Sequence, residues 1–131
     1  MAEDAVTRYP FGGRRDLLRT PSGLRLDELT LDDPRATSDE LRATPEALRL
    51  QADVADACGR APLAANLRRA AELASVPHDV VLEIYTALRP RRATADELEA
   101  WARRLEEEGA VLTAAFVREA AEVYAARGLL A

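Results

Sequence analysis

The sequence contains no lysine; its 18 basic residues are all arginine, set against 23 acidic ones for a formal net charge of −5. A surface that holds nucleic acid by its phosphates is basic, so this balance argues against such a partner. Cysteine and histidine are nearly absent as well. Cys58, the single cysteine, excludes an internal disulfide and suits a reducing compartment. With His78 the one histidine, the chain lacks the convergent ligands of a metal site, and the two residues fall on different predicted helices with no third group to complete a nucleophile and base. No apolar run approaches the roughly 20 residues of a membrane span. The opening "MAEDAVTRYPFGG" lacks the apolar centre of a secretory signal, and together these absences describe a cytoplasmic protein with no membrane or nucleic-acid partner. Runs of β-branched or aromatic residues bounded by turns are also missing, which excludes a sheet.

What is present is an arm and a body of different charge. Residues 1–26 hold five arginines against Glu3, Asp4 and Asp16, so the remaining 27–131 carry the acidic excess. Pro10, Gly12, Gly13, Pro21 and Gly23 are too dense for a regular helix, and the arm is expected to be extended or turning. Its Tyr9, Pro10, Phe11, Leu17, Leu18 and Leu24 give it more apolar surface than a solvating tail needs. They are expected to meet a partner. The domain reading is therefore an arm over 1–26 and one helical domain over 27–131.

Caps and breakers divide the body into five helices. Thr44 and Pro45 open the first, through "PEALRLQADVADAC", with Leu48, Ala52 and Ala55 inward, Cys58 packed, and Gly59 as its end. A short helix around "SDELR", capped by Ser38, precedes it as a further expectation. Pro62 opens the second, with Leu63, Leu67, Ala70 and Ala74 in register and Arg68 four residues before Glu72. Pro77 opens the third, through Val80, Val81, Ile84, Tyr85 and Leu88. Thr94 and Glu97 form a capping box for the fourth, whose stripe of Leu98, Trp101, Ala102 and Leu105 is expected to be buried. The last, "AVLTAAFVREAAEVYAAR", is apolar around most of its circumference and must be covered on several sides. The predicted fold is all-α, a compact bundle of about five helices with an extended N-terminal arm.

The third helix ends abruptly in "EIYTALRPRR", where Pro90 stops it and Arg89 complements the negative end of its dipole. Other motifs read as structure. Glu106, Glu107 and Glu108 form a solvated face, since no proton donor or cleft accompanies them. "FGGRR" lacks the Lys-Ser/Thr and the strand of a phosphate loop. "LAANLRRAAELASVPHDVVLEIY" imitates a helix-turn-helix, but the acidic body repels phosphates and its second helix is rich in core residues. On residues alone, a helical adaptor remains open, with one aromatic edge drawn from Tyr85, Trp101, Phe116 or Tyr124.

"RRAAEL" at Arg68, "EIYTALRP" at Glu83 and "AAFVREAAEVY" at Ala114, in this order and spacing, resemble the small subunit of adenosylcobalamin-dependent diol and glycerol dehydratases. The similarity runs from Tyr9-Pro10 and "TPSG" at Thr20 to Leu130. It implies a share in an enzyme that removes water from a 1,2-diol or glycerol by radical chemistry. Large and medium subunits would hold substrate and adenosylcobalamin, and the small one would pack on the large within a dimer of heterotrimers. No catalytic, cofactor or metal residue is then expected on this chain, and Tyr9, Pro10, Phe11, Leu17, Leu18, Leu24 and Arg89 are its expected partner contacts. Some members carry a long N-terminal extension tied to microcompartment packaging; here eight residues precede Tyr9, so packaging through this chain is not expected. Set against the family it resembles, the chain is also expected to be shorter between Leu31 and Ser38.

Overall fold

A computed structural model describes residues 5–30 and 32–131, in two compact units, one running to Ala71 and the other from Glu72 to Ala131. Five helices are formed as expected: α1 (Pro45–Ala57), α2 (Ala61–Leu73), α3 (His78–Ala87), α4 (Ala95–Glu107) and α5 (Val111–Arg127). Among the described residues there is no strand, only an isolated bridge between Arg19 and Arg25. No described helix is long and apolar enough to cross a membrane.

Local chemistry sets the helix ends. The Thr44 hydroxyl accepts the Ala47 N–H at 3.1 Å with Pro45 in the first turn, where its missing N–H costs nothing. At α4 the capping box is complete: Thr94 accepts the Glu97 N–H at 3.2 Å, and the Glu97 carboxylate accepts the Thr94 N–H at 2.9 Å. Gly128, at φ 67°, turns the chain so that the Leu129 N–H reaches back to the Tyr124 carbonyl at 2.8 Å.

In the first unit the N-terminal segment turns instead of extending. It forms 3-10 turns at Ala5–Arg8, Phe11–Gly13, Arg15–Leu17 and Leu26–Glu28, the first of them packed against α1. "TPSG" closes a tight turn: the Thr20 N–H donates to the Leu24 carbonyl at 2.9 Å, and the Leu24 N–H to the Thr20 hydroxyl at 3.1 Å. Gly23 supplies the φ of 92° that this turn requires. Ser22 then donates to Glu40 at 2.7 Å and holds that carboxyl below its ordinary value. The segment around Ser38 forms turns and no helix.

Between α1 and α2, Ala52, Ala55 and Ala64 are buried with Leu67 against them. This corrects the expected face of α2, because Leu63, Ala70 and Ala74 are exposed while Ala64 and Ala71 are buried. The helix is rotated so that Arg68 reaches across to Asp53 at 3.2 Å and Asp56 at 2.6 Å, not along its own axis to Glu72. Cys58 is exposed, not packed: as the C-cap residue it has left the buried stripe of α1.

The second unit has the larger core. Leu98, Ala102 and Leu105 of α4 and Ala114 and Val117 of α5 are buried together with Val80 and Ile84 of α3. The fully buried alanines let α4 and α5 approach closely. Trp101 is half-buried, not enclosed as expected; it packs on the core edge with the Arg104 guanidinium 5.6 Å from its ring centroid. Glu72, freed from Arg68, accepts the Leu112 and Thr113 N–H groups at 2.8 Å each and the Thr113 hydroxyl at 2.7 Å, capping α5 from outside. Midway along α5, Arg118 donates to Glu99 at 3.0 and 3.1 Å and also to Glu106, both on α4. Hydrogen bonds from Arg118 are the main cause that holds both carboxyls below their ordinary value of 4.5.

Two predictions follow from this core. Leu105→Ala should destabilise the chain by about 2–5 kcal/mol, as cavity formation does, whereas Leu82→Ala on the exposed side of α3 should cost no more than about 0.5 kcal/mol in chemical denaturation. Glu99 and Glu106 have lowered folded values, so the stability they contribute is present above pH 4.5 and disappears as pH falls through those lower values. Arg118→Gln should therefore lower the melting temperature at neutral pH, and the gap to the unmutated chain should close in acid. A gap that stays constant down the acid limb would contradict this assignment.

Candidate functional site

Among the described residues no three of His, Cys, Asp and Glu are gathered as a metal site. His78 is exposed in the first turn of α3, and Cys58 is exposed at the far end of α1. The glutamates at the end of α4 are occupied as structural partners, Glu106 by Arg118 and Glu108 by Arg104 at 3.3 Å. Chemistry that remains available to other molecules lies on the surface of the helices.

Two apolar stripes stand out there. On α5, Leu112, Phe116 and Val123 recur at spacings of four and seven and are exposed, on the side opposite the buried Thr113, Ala114 and Val117. The helix thus has two apolar faces, one of them buried in the core and the other carrying these exposed side chains. On α3, Leu82 is 66% and Tyr85 57% exposed, while Val80 and Ile84 point into the core. Tyr85 was expected to share the inward face of Ile84. One residue is about 100° of helical turn, enough to bring it to the outside.

The end of α3 is built, not frayed. The Thr86 hydroxyl donates to the Leu82 carbonyl at 2.9 Å, and Leu88 closes the helix with its N–H on the Ile84 carbonyl at 3.0 Å. Leu88's own carbonyl accepts the Tyr124 hydroxyl from α5. Beyond Pro90 the chain takes a left-handed residue, Arg91 at φ 62°, whose N–H donates to the Leu129 carbonyl at 2.7 Å. The Ala131 N–H then reaches the Ala93 carbonyl at 2.9 Å. Arg89 follows the C-cap residue Leu88, and Arg89, Arg91 and Arg92 are all exposed just beyond the end of the helix.

The structure distributes the expected contact residues between both units. Tyr9 and Pro10 are exposed, while Phe11 is buried with its ring edge-on to Tyr9 at 6.1 Å between centroids. Leu17, Leu18 and Leu24 are half-buried, and Arg89 is exposed. Phe11 thus serves the fold of its own unit. The sequence pattern did not single out Leu82, Leu112 and Val123 as surface residues, and it left Tyr85 and Phe116 open between the core and an aromatic edge. The signal for the α5 set was present in a helix apolar around its circumference.

A protein-family model described as the dehydratase small subunit matches residues 5–131. The chain is 48% identical over 127 residues to the propanediol dehydratase small subunit of Citrobacter freundii, covering 93% of this chain and 74% of that one. It is 46% identical over 127 residues to the protein of the same description from Salmonella typhimurium, covering 93% and 73%. A match over nearly its whole length places this all-helical chain in the dehydratase small subunit family.

Proposed function

We propose that this chain is the non-catalytic small subunit of an adenosylcobalamin-dependent diol dehydratase, which converts 1,2-propanediol to propanal and water, or glycerol to 3-hydroxypropanal and water. The observation that carries this reading is the 46–48% identity, over 93% of this chain, to propanediol dehydratase small subunits. When bound, adenosylcobalamin supplies the radical chemistry of such an enzyme. The residues of this chain do not fit a site for it, since its one imidazole, His78, stands exposed in the first turn of α3 and offers no enclosed position for a corrin ring. Cofactor and substrate belong to the large and medium subunits, and the complex is a dimer of heterotrimers.

The role left to this chain is to dock on the large subunit and stabilise it. Any surface that binds only the folded partner raises that partner's stability by mass action, with no chemistry of its own. Its apolar outer stripes on α3 and α5 are suited to this, because a subunit that lives in a permanent complex can leave uncovered what a monomer must hide. Tyr9 and Pro10, exposed on the first unit, are further contacts, joined by the accessible parts of Leu17, Leu18 and Leu24.

Expression of the chain beside large and medium dehydratase chains should give a ternary complex that dehydrates 1,2-propanediol only with added adenosylcobalamin. Assay of the same complex on glycerol sets the substrate preference. Turnover by this chain alone, or a stable monomer that ignores both larger chains, would overturn the assignment; the second result would favour a stand-alone helical adaptor.

A further inference from the structure

We propose that the outward residues Leu82 and Tyr85 of α3, together with Arg89, Arg91 and Arg92 in the turn beyond its end, form a docking surface for an apolar and acidic patch on the large subunit. The proposal rests on the functional reading above and assigns it a surface. Its first support is the distribution of charge. Among the described residues, half of the arginines of this acidic chain, nine of 18, make internal ion pairs, among them Arg14 with Asp16, Arg35 with Asp33, Arg68 with Asp53 and Asp56, and Arg118 with Glu99 and Glu106. Arg89, Arg91 and Arg92 make no ion pair among the described residues, yet they stand within four positions of one another. Three neighbouring cations left without carboxylates, in a chain with more acids than bases, complement a negative surface on another molecule.

The backbone at Arg91 is the second support. Its φ of 62° is the left-handed conformation that glycine adopts without steric cost, and an arginine there is disfavoured by its Cβ. The turn itself needs only the Arg91 N–H, which holds the Leu129 carbonyl at 2.7 Å and which glycine would supply equally. An arginine therefore stands where the backbone alone would favour glycine, as strained positions at functional surfaces do. The third support is the company it keeps. Tyr85 and Leu82 offer an exposed ring and an aliphatic patch one and two turns before the cations, and tyrosine with arginine is the combination that most often carries binding energy at interfaces. Tyr124, bonded to the Leu88 carbonyl, fixes the end of the helix that presents them.

The test uses the full chain titrated onto the large and medium subunits, at low and at high salt. Arg89→Glu with Arg92→Glu should weaken binding by about 100-fold at low salt and remove the salt dependence that the unmutated chain shows. Tyr85→Ala should weaken it by about tenfold at both salt levels. Arg91→Gly should weaken it severalfold while the melting temperature of the free chain stays the same or rises, a result that a merely structural residue would not give. Affinity and salt response unchanged in the Arg89/Arg92 variant, with its helical circular dichroism intact, would overturn the proposal. So would loss of self-association in that variant with binding to the larger subunits preserved, since the surface would then belong to a second copy of this chain. If the unmutated chain binds neither larger subunit, the functional reading falls and takes this surface with it; binding that is equal in all variants sinks the surface alone.

Discussion

The second unit depends on α5 being held along its whole length. Glu72 receives the free N–H groups at its start, Arg118 ties its middle to Glu99 and Glu106 of α4, and Tyr124 joins its last turns to the end of α3. Between these polar anchors lies the apolar seam of Ala114 and Val117 against the buried side of α4. Hydrogen bonds of this kind add modest net stability each, but they are directional. The burial supplies most of the favourable free energy, and the anchors decide which side of the helix is buried.

That choice has an outward result. With Thr113, Ala114 and Val117 turned in, Leu112, Phe116 and Val123 are turned out and stay substantially exposed. On α3 the same logic turns Ile84 inward and Tyr85 outward. A protein of this size that functioned alone would replace such positions by charge, as α4 does with Glu99, Arg103 and Glu106. Membership of a small-subunit family gives the uncovered faces a physical reason, because stability within an assembly is shared between its members.

Helix ends were legible in the sequence, and helix faces only in part. Thr44 with Pro45, and Thr94 with Glu97, act within one turn of chain, so their chemistry is local and their positions are recovered in the structure. The inward sides of α1 and α4 were legible for the same reason, each having one polar and one apolar side. On α2 the choice between Leu63 and Ala64 depended on Arg68 finding Asp53 and Asp56 on another helix, which no spacing within α2 encodes. Glu72 was read as a surface partner of Arg68, although its carboxylate caps a helix forty residues away. The same distance-dependence explains the surface readings. Cys58 is apolar enough for a core but sits where α1 has ended, and Tyr85, Phe116 and Trp101 have ring sizes that suit a core or an interface equally.

Cys58 and Trp101 are each the only residue of their kind, and they belong to different compact units. The thiol stands exposed at the end of α1, where a probe attached to it leaves the buried alanines of that helix untouched. The indole, lodged at the edge of the other unit's core, is an intrinsic donor chromophore for an acceptor at that thiol. Without any substitution, the chain therefore carries a pair of optical positions whose energy transfer reports the spacing of its two halves, in free solution and after assembly.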